Sequence, residues 1–145
     1  MKSFGKGRPG RTIVLRLEPG DDVLACLVEA IRAHGISDGY VASGIGTLSY
    51  CVLHMVTTTG YPAVEHFARW VDEPLELASM SGVIADGVPH IHALVSDSKV
   101  AVAGHLEPGC IILYLGEVVI QEVTGQTLVR TKNSRGVNEL SERQG

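Results

Sequence analysis

The stretch from Gly87 to Leu106, GVPHIHALVSDSKVAVAGHL, decides how the chain is read. It holds three of the six histidines: His90, His92 and His105. On a β-strand, residues i and i+2 point to the same face. His90 to Val95 is apolar-rich and short enough for a strand, and Lys99 to Ala103 alternates Val with Ala. Ser96-Asp97-Ser98 between them is a polar, turn-forming cluster. A turn centred between Asp97 and Ser98 would set His90 opposite His105 and His92 opposite Ala103. Directly opposed residues share a face, with Cβ atoms about 4.5–5.5 Å apart. One hairpin would thus gather three imidazoles on one side of a sheet. Ala103 would leave room beside them, and Gly104 marks a point where a strand tolerates a bulge or a close backbone approach.

Three neutral imidazoles on one patch suit Zn²⁺ or a similar divalent ion, and a tetrahedral site with three protein ligands keeps one position open. His90, His92 and His105 are therefore the expected metal ligands. The competing reading is that they are ordinary surface or half-buried histidines of a strand.

Outward from the hairpin, the chain punctuates into many strands and one helix. Thr12 to Leu17 alternates as a strand and Pro19-Gly20 breaks it. Asp21 and Asp22 sit where a cap and the helix dipole favour acids. Val23, Leu24, Leu27, Val28 and Ile31 recur at helical spacing, and Gly35 is a natural stop. Tyr40 to Gly46, Leu48 to Thr57, Val64 to Val71 and Leu75 to Ala85 read as further strands, with a turn at Asp72-Glu73-Pro74. Gly44-Ile45-Gly46 lacks the third glycine and the following helix of a nucleotide loop. Cys110 to Val123 is too long for an ordinary strand, so a bend or bulge is expected at Gly116-Glu117. Thr127 to Arg130 is a last short strand. The expectation is an α+β fold, a largely antiparallel sheet with one main helix near the N-terminus. Residues 1–10 read as a flexible basic arm, 11–130 as one domain, and 131–145 as a polar tail.

Composition narrows the function classes. The chain has 145 residues, 45% of them apolar but only 5% aromatic, so Val, Leu, Ile and Ala must build the core. No apolar run of about 18 residues is present to span a membrane, and MKSFGKGRPG is not followed by the apolar block of a secretory signal. Cys26, Cys51 and Cys110 form no CxxC pair, which points to buried thiols and a cytoplasmic setting. The net charge of −4 is unevenly spread. Residues 1–16 carry five cations and no acid, whereas residues 17–129 carry three cations against fourteen acids. Such a body is a poor partner for phosphate backbones. The basic segments are the arm, with Lys6, Arg8 and Arg11, and the C-terminal tail; the Gly7-Arg8-Pro9 core of the arm resembles an AT-hook, and the competing reading is a solvated basic arm leading into the first strand.

Taken together, Leu15 to Asp22 (LRLEPGDD), Gly44-Ile45-Gly46, Leu75 to Gly82 (LELASMSG), Asp86 to His92 (DGVPHIH), Gly104-His105-Leu106 and Glu117 to Ile120 resemble the plants-and-prokaryotes-conserved (PPC) domain over about residues 11–140. That resemblance implies a homotrimer whose prokaryotic members are commonly labelled DNA-binding. The family's partner-binding hexapeptide maps onto Glu73 to Ala78, where Leu75, Glu76 and Leu77 are the matching or similar positions. In this chain Ala103 stands where the family usually has the first glycine of Gly-Gly-His-Leu.

The fold group also resembles acetolactate decarboxylase, a zinc enzyme with an HxH pair and a third downstream histidine. Here twelve residues separate His92 from His105. The resemblance makes a metal-dependent lyase or hydrolase conceivable, with Glu117 or Glu65 as general acid or base. Three functions follow as expectations. The first is a DNA-binding or regulatory homotrimer carrying a three-histidine metal site, the second a zinc-dependent small-molecule enzyme, the third a trimeric scaffold.

Overall fold

The structure, a computed structural model, describes residues 1–143. Strand β1 (Arg8–Leu17) leads into helix α1 (Val23–Ala33), followed by β2 (Gly39–Val56), β3 (Glu65–Ala85), β4 (Val88–Ser96), β5 (Ala101–Leu106), β6 (Ile111–Thr124), β7 (Leu128–Lys132) and β8 (Asn138–Glu142). The expected α+β class holds: the sheets are antiparallel throughout the described residues, and α1 is their one helix.

Both ends of α1 form for the reasons their residues suggest. Asp22 caps the start, its carboxylate accepting from the Ala25 amide at 2.9 Å. At the other end Gly35 takes φ +63°. Its amide donates to the Arg32 carbonyl while the Ile36 amide reaches Ile31, a Schellman stop. Val23, Leu27 and Ile31, one stripe of the helix, are buried in the core.

Six strands form one sheet in the order β1-β6-β2-β3-β4-β5, and an extra pairing of β2 with β5 closes the last four into a barrel. Long, bent strands make this closure possible. The first half of β2 lies between β6 and β3, and its second half lies between β3 and β5. The expected turn at Asp72-Glu73-Pro74 is instead a bulge inside β3, between the pairs Leu48↔Leu75 and Tyr50↔Val71, with Asp72 at φ 56°. Likewise β2 is one strand rather than two. Along β6 the irregularity opposite β2 falls at residues 113–115, just before the expected Gly116-Glu117.

Strand β1 already pairs with β6 from Arg8 onward, so three residues of the expected arm are in the sheet. Leu128 is tied to the body by its amide, which donates to the buried Asp38 carboxylate at 2.7 Å. Burial raises the Asp38 pKa above the usual carboxylate value. The expected last strand is β7, and residues 138–142 of the expected tail fold back on it as β8, paired from Leu128↔Glu142 to Lys132↔Asn138. The core itself runs from α1 through the inward residues of the barrel, among them Leu53, Leu77, Ile91, Ala93, Val95 and Leu106.

Candidate metal centre

Strand alternation puts Ile91, Ala93 and Val95 in the core and turns His90 and His92 outward. His105 lies between buried Gly104 and Leu106 on β5, and His54 follows buried Leu53 on β2. Three adjacent strands of the barrel then align these side chains. His92 pairs with His105 across β4–β5, and His105 pairs with His54 across β2–β5. The ring centroids lie 4.6 Å apart for His54 and His105, 4.9 Å for His90 and His105, 5.4 Å for His90 and His92, and 5.5 Å for His92 and His105.

The hairpin register differs from the expected one by two residues. Ser96 pairs with Ala101, so Asp97 to Val100 form the loop, and His92 rather than His90 faces His105. The cause lies in Asp97. One of its carboxylate oxygens accepts from the amides of Lys99 at 2.6 Å and Val100 at 2.8 Å, and its own amide donates to the Val100 carbonyl. This local bonding removes Lys99 and Val100 from the strand. A shift of two preserves the face where a shift of one would invert it, so all three histidines still share one side.

Two glycines let the strands that carry the cluster approach. A Cβ on Gly104 would stand 2.7 Å from the His54 carbonyl oxygen. On Gly82 it would stand 2.0 Å from the His90 carbonyl oxygen. The close approach expected at Gly104 is thus made against β2.

Glu107 and His54 complete the cluster, and neither was expected there. One oxygen of the Glu107 carboxylate lies 2.6 Å from His54 Nδ1 and 3.0 Å from His105 Nδ1. His54, His105 and Glu107 offer ligand atoms that all lie within 4.8 Å of one another. When Glu107 accepts the two Nδ1 protons, each ring keeps its Nε2 lone pair for an ion, the arrangement by which carboxylates orient metal-binding imidazoles. Glu107 sits two residues after His105, an alternation that signals a shared face, but it falls in a Glu-Pro-Gly turn that reads as loop.

Burial lowers the pKa of His90, with further lowering from the neighbouring His105, Arg130, His92 and His54. His92 is lowered by burial and then by His105 and His54. Both shifts favour the neutral form that ligates metal.

The histidines line a pocket of about 1070 Å³. Its walls come from the β2–β3 connection, including Tyr61 and Pro62, and from Arg130, Arg135 and Asn138 of the β7–β8 hairpin. Glu65 also lines it, its carboxylate 3.9 Å from His54 Nε2. The other expected acid, Glu117, is exposed on β6 between Arg16 and Ile45, outside this pocket.

Elsewhere, Leu75 and Leu77 are core residues, 3% and 2% exposed, and only Glu76 of that trio faces solvent. Lys6 pairs with Glu142 at 3.0 Å. Arg11 makes a two-pronged pair with Glu122, at 2.8 and 2.7 Å, and also donates to the His34 carbonyl. Arg8 lies in β1 opposite Thr124.

The model of the Plants and Prokaryotes Conserved domain family matches residues 4–124. Among solved structures, the fold matches a metal-containing protein of Archaeoglobus fulgidus with a TM-score of 0.83 and 25% identity, covering 98% of this chain and 100% of that one. It matches a plant- and prokaryote-conserved protein of Pyrococcus horikoshii with a TM-score of 0.79 and 23% identity, over 99% of both chains. A candidate DNA-binding protein of Ralstonia eutropha matches with a TM-score of 0.71 and 26% identity, over 94% of this chain and 96% of that one. Two Synechococcus sequences, each a bifunctional protein GlmU, are 33% and 32% identical over 74% and 77% of this chain. The matched region is only 16% and 17% of their length.

Proposed function

The chain belongs to the Plants and Prokaryotes Conserved domain family, and on that premise we propose that it is a metal-binding domain that works as a homotrimer. His90, His92 and His105 are the protein ligands in this reading, zinc is the ion that imidazoles suit, and Glu107 orients the cluster through His105 and His54. The observation that carries the reading is the convergence of four imidazoles across three neighbouring strands, with two Nδ1 atoms on one carboxylate oxygen. Such an arrangement gathers side chains that a fold has no structural need to gather. The metal-containing relative from Archaeoglobus fulgidus supports it. When bound, the ion would supply Lewis acidity and one open coordination position.

Elemental analysis of the purified full chain tests this reading, beside light scattering for the trimer. About one ion per chain, lost in His92→Ala and His105→Ala, is the expected result. A chain that takes up no zinc on titration would refute it.

Two other uses of the domain have one observation each. A lyase or hydrolase acting on a small molecule is favoured by Glu65, whose carboxylate lies at the edge of the cluster and could move a proton there. Loss of turnover in Glu65→Gln with metal content unchanged would establish it. DNA binding through Lys6, Arg8 and Arg11 is favoured by the Ralstonia eutropha relative. It requires salt-dependent affinity that weakens when the three are replaced by Ala.

A further inference from the structure

The pocket over the histidines holds two arginines with no acid of their own. Among the described residues, Lys6, Arg11, Arg16 and Arg143 each have a carboxylate within 4.0 Å. Arg130 and Arg135, both in the pocket wall, have none, as have the exposed Lys2, Arg8, Arg32, Arg69, Lys99 and Lys132; the pocket pair differs in having its guanidinium groups fixed. Arg130 is half-buried. Its two Nη atoms donate to the carbonyls of Val88 and Val83, each at 3.1 Å. Those bonds fix the guanidinium at the end of the β3–β4 hairpin, close to His90, and leave three of its five N–H donors free. A partly desolvated cation with spare donors and no counter-ion is unfavourable unless something else supplies the anion. Arg135 lies with its guanidinium carbon 4.9 Å from the centre of the Tyr61 ring. Stacking of this kind fixes a guanidinium plane while leaving its edge available.

The remaining wall is largely apolar, with Met55, Val56, Pro62, Val88 and Pro89 facing the same space. A volume of about 1070 Å³ exceeds what an ion and its waters need and lies at the upper limit of small-molecule sites.

We propose that this pocket binds a small organic carboxylate, its anionic group held by Arg130 and Arg135 and its apolar body lying against Tyr61, Pro62 and Met55. An oxygen of the same molecule would reach the open position of the metal, and this last contact alone rests on the metal reading. Planar guanidinium edges match the two oxygens of a carboxylate. The apolar wall calls for an organic body that inorganic phosphate lacks. Local charge agrees, since the pocket lining sets two arginines against one acid, Glu65, on a chain of net charge −4.

The test is calorimetric, on the full chain, with three probes: benzoate, the neutral benzyl alcohol, and inorganic phosphate. Zinc is titrated alone first, so that failure of the metal site is read separately. Benzoate is then expected to bind the loaded chain at least tenfold more tightly than either other probe. Arg130→Gln and Arg135→Gln should each weaken benzoate about tenfold while leaving zinc stoichiometry unchanged. Arg130 also braces the β3–β4 hairpin, so Arg135→Gln, on an exposed turn, keeps the test valid if Arg130→Gln unfolds. Zinc uptake without benzoate binding would overturn the proposal. So would equal affinity in the wild type and Arg135→Gln, or phosphate binding as tightly as benzoate. Arginine-dependent benzoate binding by a chain that takes up no zinc would sustain the carboxylate pocket and refute the metal reading.

Discussion

Where β2, β4 and β5 meet, four imidazoles and two arginines face one pocket, and among the described residues Glu65 and Glu107 are the carboxylates within 4.0 Å of these imidazoles. Along the β1–β6 seam the arrangement is opposite, for Arg11 is locked to Glu122, and just ahead of β1 Lys6 pairs with Glu142 of β8. Both regions read as functional in the sequence because both concentrate basic side chains. Folding separates them. The seam neutralises its charge internally and is a structural joint. The barrel face leaves nitrogen lone pairs and N–H donors over, which is the chemistry that the proposed binding needs.

The strongest way to break this contrast is to remove the ring that every other member of the cluster touches. His105 contacts His54, His90 and His92 as well as Glu107. His105→Ala should lower bound zinc to below about a tenth of the wild-type content, measured by mass spectrometry of the metal. The same measurement on Arg11→Ala should show no change. Equal losses in the two variants would mean that metal content follows general stability and that the barrel face has no special role.

Glu107→Gln sharpens the comparison within the site. The amide keeps an acceptor for one imidazole but cannot hold both Nδ1 protons with a negative charge. Zinc affinity should weaken about 10- to 100-fold by competition with a chelator, with the circular dichroism spectrum unchanged. Gly104→Ala comes next. Its Cβ would press on the His54 carbonyl, so β5 must move away from β2. The expected cost is about 1–3 kcal/mol in urea unfolding, together with weakened zinc binding, because the strands that carry His54 and His105 separate. Retained stability with lost zinc would show that the close approach serves the site alone.

The pH response of the metal-free chain should also be asymmetric. Folding lowers the proton affinity of His90 and His92 below the ordinary value of 6.5. The unfolded chain therefore binds more protons below about pH 6.5. The contribution of these two rings to stability is complete above that pH and is lost as pH falls through their lower folded values. The denaturation midpoint should drop between pH 7 and pH 5, and by less in the double variant His90→Gln/His92→Gln.

Much of the site was legible before the fold. The HxH pair declares a shared face, and Gly104 declares a close approach. What stayed hidden needed information carried by distant strands. His54 stands 51 residues before His105 and meets it only because bent β2 closes the barrel. The two-residue slip of the hairpin came from Asp97, whose side chain outcompetes the ladder for two amides. Leu75 and Leu77 show the converse. A hexapeptide carried over by likeness cannot say which face its residues take, and here strand alternation sends both leucines into the core. Residues 131–145 read as a tail because they are polar, yet Leu128 to Glu142 form a two-stranded hairpin, which needs little apolar area once Asp38 anchors Leu128.

The seam offers the smallest effect and the cleanest control. Arg11 holds the Glu122 carboxyl down to about 2, chiefly by its side-chain hydrogen bonds and then by the backbone amide of Arg11. A depressed carboxyl stabilises the fold above its unfolded value of about 4.5 and loses that contribution as pH falls toward 2. Arg11 is exposed and Glu122 is half-buried at the surface, so solvent screening keeps the gain small. Glu122→Gln should shift the melting temperature at pH 7 by about 2 °C or less, and should flatten the decline in stability between pH 4.5 and pH 2. It should leave zinc content and benzoate binding untouched. A change in either would mean that the seam and the barrel face are mechanically linked through the β6–β2 pairing, and that the contrast between the two regions is one of charge alone.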